Sequence, residues 1–372
     1  MGAFAIVGLV EPLSADLNIS IAQSGQLLTY YAIGYAVLSP LLVAMTGQVG
    51  RRRVMALGLA LFGLAALISA VAPGLGSLQL ARVLAAAGAG MFTPVAAATA
   101  AALYPEAQRA RVLAAVFFGL TLAQVVGVPA GSWIAYTFGW RWTFWLTVAL
   151  ALPCIALIWR EVPRGLSFQP VGLRDLSESL SDWRTMLAVL FTASFLGAIY
   201  VLYTYIAPLF SETMGFGRDG VTLILVLFGC GAVVGNILGG ILADRFGWRW
   251  TLSALAAMQA VVMPLFSLLP LPLPVIYALA LAWPIFGWSF MAGQQMRLIS
   301  IAGPRAPVVL ALNAAAIYVG AALGSALGAW VLERYGVVWT GLAAGLCALG
   351  ALAHLQLSAM LPPRARGGQA GG

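Results

Sequence analysis

Few residues in this chain could do chemistry, and most of them stand singly in long apolar runs. Arg82 lies about five residues inside one such run, with no acidic neighbour in sequence. A guanidinium at that depth is costly unless it faces a wet cavity or a polar partner, or its tip reaches the headgroups by snorkelling. Tyr31 and Tyr35 are four apart and share a helix face. They and Tyr205 are amphipathic groups for a solute contact or for an interfacial anchor. Gln124, Gln294 and Asn313 complete the polar candidates for a solute cavity. Nothing here assembles a reactive centre. There is one histidine, His354, near the end of the last apolar run, where an interfacial place is the simpler reading. No Ser/His/acid set, phosphate-binding Gly-Lys loop or Walker-type motif occurs. Cys154, Cys230 and Cys347 sit far apart in apolar runs without metal-ligand spacing and read as buried small hydrophobes. The expectation is therefore a non-enzyme with no metal and no cofactor.

Composition says what positions these groups. Of 372 residues, 62% are hydrophobic and 8% charged, against about 25% charged in soluble domains. Such a chain cannot cover a water-facing surface, so the class is an all-α, multi-pass membrane protein in a lipid bilayer. A bilayer crossing needs roughly 20 apolar residues. Apolar runs give twelve approximate spans: 1–14, 21–46, 53–73, 77–103, 110–136, 141–159, 184–210, 219–243, 250–270, 272–294, 305–331 and 336–361. Span 1 is short, and the first residues lack the basic start and cleavage site of a signal peptide. Residues 160–183 carry Arg160, Glu161, Arg164, Arg174, Asp175, Glu178 and Asp182 and read as a polar linker. The expected organisation is a six-helix bundle over 1–159, the linker over 160–183, a second bundle over 184–361 and a tail over 362–372.

The net charge of +8 is carried by arginine alone among the basic residues. With the linker inside, fifteen arginines fall in inner loops and tail (Arg297 counted among them) and three in outer loops, with Arg82 within a span. That bias places both termini in the cytoplasm. The arginines are spread over short loops rather than gathered on one soluble face, which excludes a nucleic-acid surface.

The two halves are related. Adding 197 to Gly50, Arg52, Gly127, Gly131, Trp133, Gly139, Trp142 and Thr143 gives Gly247, Arg249, Gly324, Gly328, Trp330, Gly336, Trp339 and Thr340. One offset linking eight positions reads as a parallel internal repeat. Between spans 8 and 9 runs Gly239-Gly240-Ile241-Leu242-Ala243-Asp244-Arg245-Phe246-Gly247-Trp248-Arg249-Trp250. This Gly-x-x-x-Asp-Arg-x-Gly-x-Arg pattern resembles the loop motif of the major facilitator superfamily. The first-half copy, around Gly50, Arg51 and Arg52, has Gly47 and Gln48 where the family has Asp and Arg. Ala81-Arg82-Val83-Leu84 with Gly88 and Gly90 resembles the family's span-4 motif, which implies a cavity-facing arginine. Gly119, Gly127, Pro129 and Gly131 resemble the span-5 motif of drug:proton antiporters, in the branch of sugar, arabinose and purine efflux permeases.

The resemblance implies two pseudo-symmetric six-helix bundles of the major facilitator fold, with span 1 shortened. It implies a plasma (inner) membrane protein that exports a small organic solute by proton antiport, driven by the proton gradient. A monomer is expected. Asp244, Arg245 and Arg249, with Gly240 and Gly247, would latch the inward-closed form. Against proton coupling, no carboxylate lies deep in any span, and Ala3 stands where related exporters often carry an acid. An uncoupled facilitator and a non-transporting membrane sensor remain as alternatives.

Overall fold

The computed structural model describes residues 5–46, 49–103, 119, 122–164, 177–178, 180–302 and 306–360. Within them every regular element is helical. A 3₁₀ turn, Ala5–Gly8, leads into α1 (Val10–Leu17). Then follow α2 (Ile21–Met45), α3 (Arg51–Ala70), α4 (Leu75–Leu103), α5 (Val128–Phe138) and α6 (Trp140–Glu161). The later elements are α7 (Trp183–Tyr203), α8 (Ile206–Met214), α9 (Arg218–Leu265), α10 (Leu273–Trp288), α11 (Phe290–Ala302), α12 (Ala306–Tyr335) and α13 (Trp339–Ala359).

Nine segments among the described residues are long and apolar enough to cross a membrane. One of them, Arg218–Leu268, has 51 residues, far more than the ~20 a bilayer accepts. It must double back, and it does so at Gly247, whose φ of 74° is open to glycine without steric cost. The turn falls inside the Asp-Arg-x-Gly motif, between expected spans 8 and 9. Val125–Phe138 is a shorter apolar helix at the end of expected span 5. The start of that span, most of the linker, the tail, Ala3 and the pair Gly47 and Gln48 lie outside the described residues.

The repeat is visible in the backbone. Gly139 and its counterpart Gly336 both have φ 97°. Each donates its N–H to the carbonyl four residues back, Ala135 or Leu332, and accepts from the indole-bearing residue three on, Trp142 or Trp339. Asn18 (φ 53°) and its counterpart Gly215 (φ 66°) both end a helix in the left-handed region. The offset maps α1 onto α8, so α1 corresponds to the end of span 7 beyond its break rather than to the whole span.

Packing sorts the helices by half. In the first, α3 packs on α4 and α6, and α2 on α4. In the second, α7 packs on α12 and α13, and α9 on α10, α11 and α13. Small residues set how closely these helices approach, as in membrane interiors generally. A methyl on Gly324 of α12 would lie 2.2 Å from the Gly197 carbonyl oxygen of α7, and one on Gly239 of α9 would lie 2.2 Å from the Ser289 carbonyl oxygen. The three cysteines correct an expectation: Cys154 and Cys230 are exposed and Cys347 half-buried. A free thiol is a small, weakly polar group, so its exposure on an apolar helix costs little.

Candidate functional site: the seam between the halves

The halves meet chiefly where α2 crosses α12 and where α5 crosses α9, with α1 against α8 beside them. We call the end of the bundle holding the 160–183 linker the linker end, and the opposite one the far end. Among the described residues the polar contacts at the seam sit toward the far end, the first of them within the second half. Tyr205, at the break between α7 and α8, donates its hydroxyl to the Ser325 carbonyl of α12 at 3.0 Å. Ser325 Oγ donates to the Gly25 carbonyl of α2 at 3.2 Å. Thr29 Oγ1 reaches the Ala322 carbonyl at 3.5 Å. Arg218, at the start of α9, donates to Thr137 Oγ1 at 3.3 Å and lies over the Trp133 ring of α5. Nearer the middle, Tyr35 stacks on Tyr318 of α12 with ring centroids 3.8 Å apart, and Tyr31 lies 6.1 Å from the same ring. All three tyrosines therefore meet at the seam. Tyr31 and Tyr35 are buried and do not anchor at an interface.

Arg82 is enclosed in the first half, 2% exposed. Its Nη2 donates to Ser69 Oγ of α3 at 3.1 Å, and its guanidinium lies 4.9 Å from the centre of the Phe144 ring of α6. That removes the snorkelling alternative, because the tip is held inside the bundle. Gln294 and Asn313 are also buried. Gln294 Nε2 donates to the Ala188 carbonyl at 2.7 Å and to Thr192 Oγ1 at 3.0 Å, and Thr192 donates to Asn313 Oδ1. This knot ties α7, α11 and α12 together. Gln124 belongs to a π-helical turn, Ala123–Gly127, and its side chain lies outside the described residues.

The span-5 motif thus has a local form. Pro129 has no N–H to give a helical ladder, and just before it the Val128 N–H bonds back five residues to the Ala123 carbonyl. Such π turns are inserted residues that recur at functional places in helices. Gly127, Pro129 and Gly131 are buried, whereas Gly119 is exposed. Thr143 of α6 donates to the Gly131 carbonyl at 3.0 Å, where a methyl would lie 3.2 Å from Thr143 Cγ2.

At the linker end the described residues of the loop motifs do not meet across the seam. Gly50 precedes α3; Arg51 donates to the Ala98 carbonyl at 3.3 Å, and Arg52 lies over Trp159. In the second half Asp244 is exposed with no ion pair among the described residues, and Gly240 has open space around it. Arg245 lies over the Phe246 ring, and Arg249 contacts Gln356 at 3.5 Å. Arg297, counted above with the inner loops, is instead fully buried in α11. Its Nη2 donates to Ser358 at 2.6 Å between the Trp248 and Phe191 rings. It stands near the end of an apolar run, where sequence alone does not separate loop from helix. His354 is half-buried, bonded to Ser194 and to the Leu187 carbonyl.

Two arrangements had no sequence signal beyond residue type. Tyr318 completes the aromatic stack. At the far-end rim, Asp16 accepts from Arg141 at 2.5 Å and from the Trp140 indole at 2.9 Å, while Arg141 also donates to the Ala72 carbonyl. Beside them Tyr136 donates to Glu11, in a cleft of 690 Å3 lined by both acids.

Residues 1–306 match the sequence profile of the Major Facilitator Superfamily. The chain belongs to that superfamily. This transporter is 30% identical over 338 residues to the inner membrane transport protein YdhP of Escherichia coli K12, covering 89% of this chain and 85% of that one. It is 33% identical over 246 residues to a chloramphenicol resistance protein of Streptomyces lividans, covering 65% and 63%. A bacterial homologue of the human lysosomal transporter Spinster, crystallised inward-facing and unoccupied, superposes with a TM-score of 0.77 at 19% identity, covering 96% and 93%. The fold is that of the superfamily, two six-helix bundles, and its members transport solutes rather than catalyse reactions. The relatives thus include a drug resistance protein and a bacterial inner membrane transport protein.

Proposed function

We propose that this transporter exports a small organic solute, sugar, nucleoside or drug-like, from the cell by alternating access. The observation that carries the reading is the one-sided seam. Among the described residues the hydrogen bonds between the halves gather toward the far end, while Asp244 and Arg245 at the linker end make none across the seam. Halves held together at the far end in this way are suited to exchange that lock for one at the other end, around a site near the middle. Tyr31 and Tyr35, against Tyr318 across the seam, are the groups proposed to line that middle, with Arg82 acting on it electrostatically from inside the first half. Asp244, exposed and without an ion pair among the described residues, would latch the opposite form. The span-5 motif and the chloramphenicol resistance relative support the outward direction. The setting is the plasma (inner) membrane, both termini are cytoplasmic, and the protein works as a monomer.

Proton antiport is the proposed drive. The second reading, an uncoupled facilitator, rests on one observation: among the described residues no carboxylate is fully buried. Both are tested with overexpressing and deletion cells screened for growth against a panel of sugars, nucleosides and antibiotics that includes chloramphenicol. A compound whose accumulation falls on overexpression is then presented to proteoliposomes carrying an internal pH dye. Solute-dependent proton flux supports antiport. Solute flux without proton flux leaves the facilitator, and unchanged accumulation of every compound overturns export of these classes.

A further inference from the structure

The repeat places two residues at the same break. Gly8 ends the 3₁₀ turn before α1, and Tyr205, its counterpart at offset 197, sits between α7 and α8 with φ −111° and ψ 19°. In the first half the break is closed flush: a methyl on Gly8 would lie 2.7 Å from Ser132 Cβ of α5. In the second half the same position bears a ring, and the ring reaches the seam. It fills a slot between two glycines. A methyl on Gly328 of α12 would lie 2.8 Å from Tyr205 Cε2, and a methyl on Gly25 of α2 would lie 2.3 Å from Cε1 and 2.5 Å from the hydroxyl oxygen. Tyr205 is fully buried there. Gly25 and Gly328 thus flank the ring from opposite halves.

We propose that Tyr205 is the far-end plug of this transporter and that Gly25 is its socket: the far end closes only because position 25 has no side chain. The proposal rests on the alternating-access reading above and gives that cycle a residue pair. The phenol ring supplies the bulk. The relay from its hydroxyl to the Ser325 carbonyl, and from Ser325 Oγ to the Gly25 carbonyl, spans all three helices. Nothing covalent holds the pair, so withdrawal of α2 from α7 and α12 empties the socket. A Cβ at position 25 must push the ring out or the halves apart, because 2.3 Å is well inside contact.

The test needs no substrate. Spin labels at Ser20→Cys and Tyr335→Cys, both exposed at the far end on opposite halves, report the far-end distance by electron–electron resonance on the full chain in nanodiscs. The three native cysteines are replaced by serine. Gly25→Ala is expected to add a longer-distance component that the parent lacks, and Ser325→Ala a smaller one. Gly58→Ala serves as the control, since a methyl there lies 2.8 Å from the Gly88 carbonyl within the first half. It loosens packing without touching the seam and should leave the distribution as in the parent. An unchanged distribution in both seam variants overturns the plug, as does an equal change in the control. Were Gly25→Ala not to fold, Ser325→Ala decides alone. A longer distance in a protein that moves no tested solute keeps the plug and sinks the export reading; persistent export with unmoved distances does the reverse.

Discussion

The α7/α12 interface gives the most direct test of the packing. Gly320, Gly324 and Gly328 of α12 recur every four residues and face α7. A methyl on Gly324 would lie 2.2 Å from the Gly197 carbonyl oxygen and 3.0 Å from Tyr200 Cβ. Ordinary contact begins near 3.4 Å, so Gly324→Ala forces the two backbones apart by up to the difference, 3.4 − 2.2 = 1.2 Å. The neighbouring turns are as tight: Gly320 would meet the Ala193 carbonyl at 2.5 Å and Gly328 the Val201 carbonyl at 2.5 Å. Separation at Gly324 therefore loosens contacts along the whole stripe, and dispersion falls steeply over such gaps. Overpacking of this kind costs about 1–3 kcal/mol. Gly350 of α13 is the comparison, because a methyl there meets nothing within 4 Å. Gly350→Ala should instead gain up to ~1 kcal/mol from helix propensity. Unfolding of both variants in mixed micelles with rising SDS fraction reads the difference. If Gly324→Ala unfolds at the same SDS fraction as Gly350→Ala, close backbone approach is not what fixes this interface.

Three further outcomes are expected. Asp244→Asn should slow solute turnover without lowering expression; unchanged transport would remove the latch role. Thr192→Val takes the shared hydroxyl from between Gln294 and Asn313 and leaves buried polar atoms short of partners, a loss of about 1–3 kcal/mol visible as a lower melting temperature, whereas an unshifted melt would show the knot to be slack. The Asp16 carboxyl is held below the usual carboxylate range, first by its hydrogen bond from Arg141 and then by that from Trp140. A depressed folded-state pKa gives stability that is present above the ordinary value near 4 and is lost as pH falls through the folded value. Between pH 6 and pH 3 the parent should thus lose its melting advantage over Asp16→Asn, and a constant gap across that range would contradict the pairing.

The parts of the fold that lipid dictates were legible in the sequence. Span length follows from bilayer thickness, and a 51-residue apolar run with one Asp-Arg-x-Gly break can only be two crossings. The offset of 197 was readable because glycine and tryptophan are chemically distinctive, and Gly139 and Gly336 repay it with the same φ. The rotation of each helix about its axis was not legible. Lipid and protein interior are equally apolar, so hydropathy does not say which face of α2 or α12 turns inward. Hence nothing in the sequence puts Tyr318 beside Tyr31 and Tyr35 or tells a buried cysteine from an exposed one, while Arg297 stands near the end of an apolar run, where loop and helix read alike. The π turn at Ala123–Gly127 depends on one hydrogen bond that no composition encodes.

The strap at Asp16 has a mechanical corollary. It binds the end of α1, the connection after α3 at Ala72 and the start of α6 at Trp140 and Arg141, three rim segments of a single half. A rim strapped this way turns as one plate. Were the mouth to widen, the strapped rim would shift as a unit, and the break between α7 and α8 would offer the opposite half a place to bend.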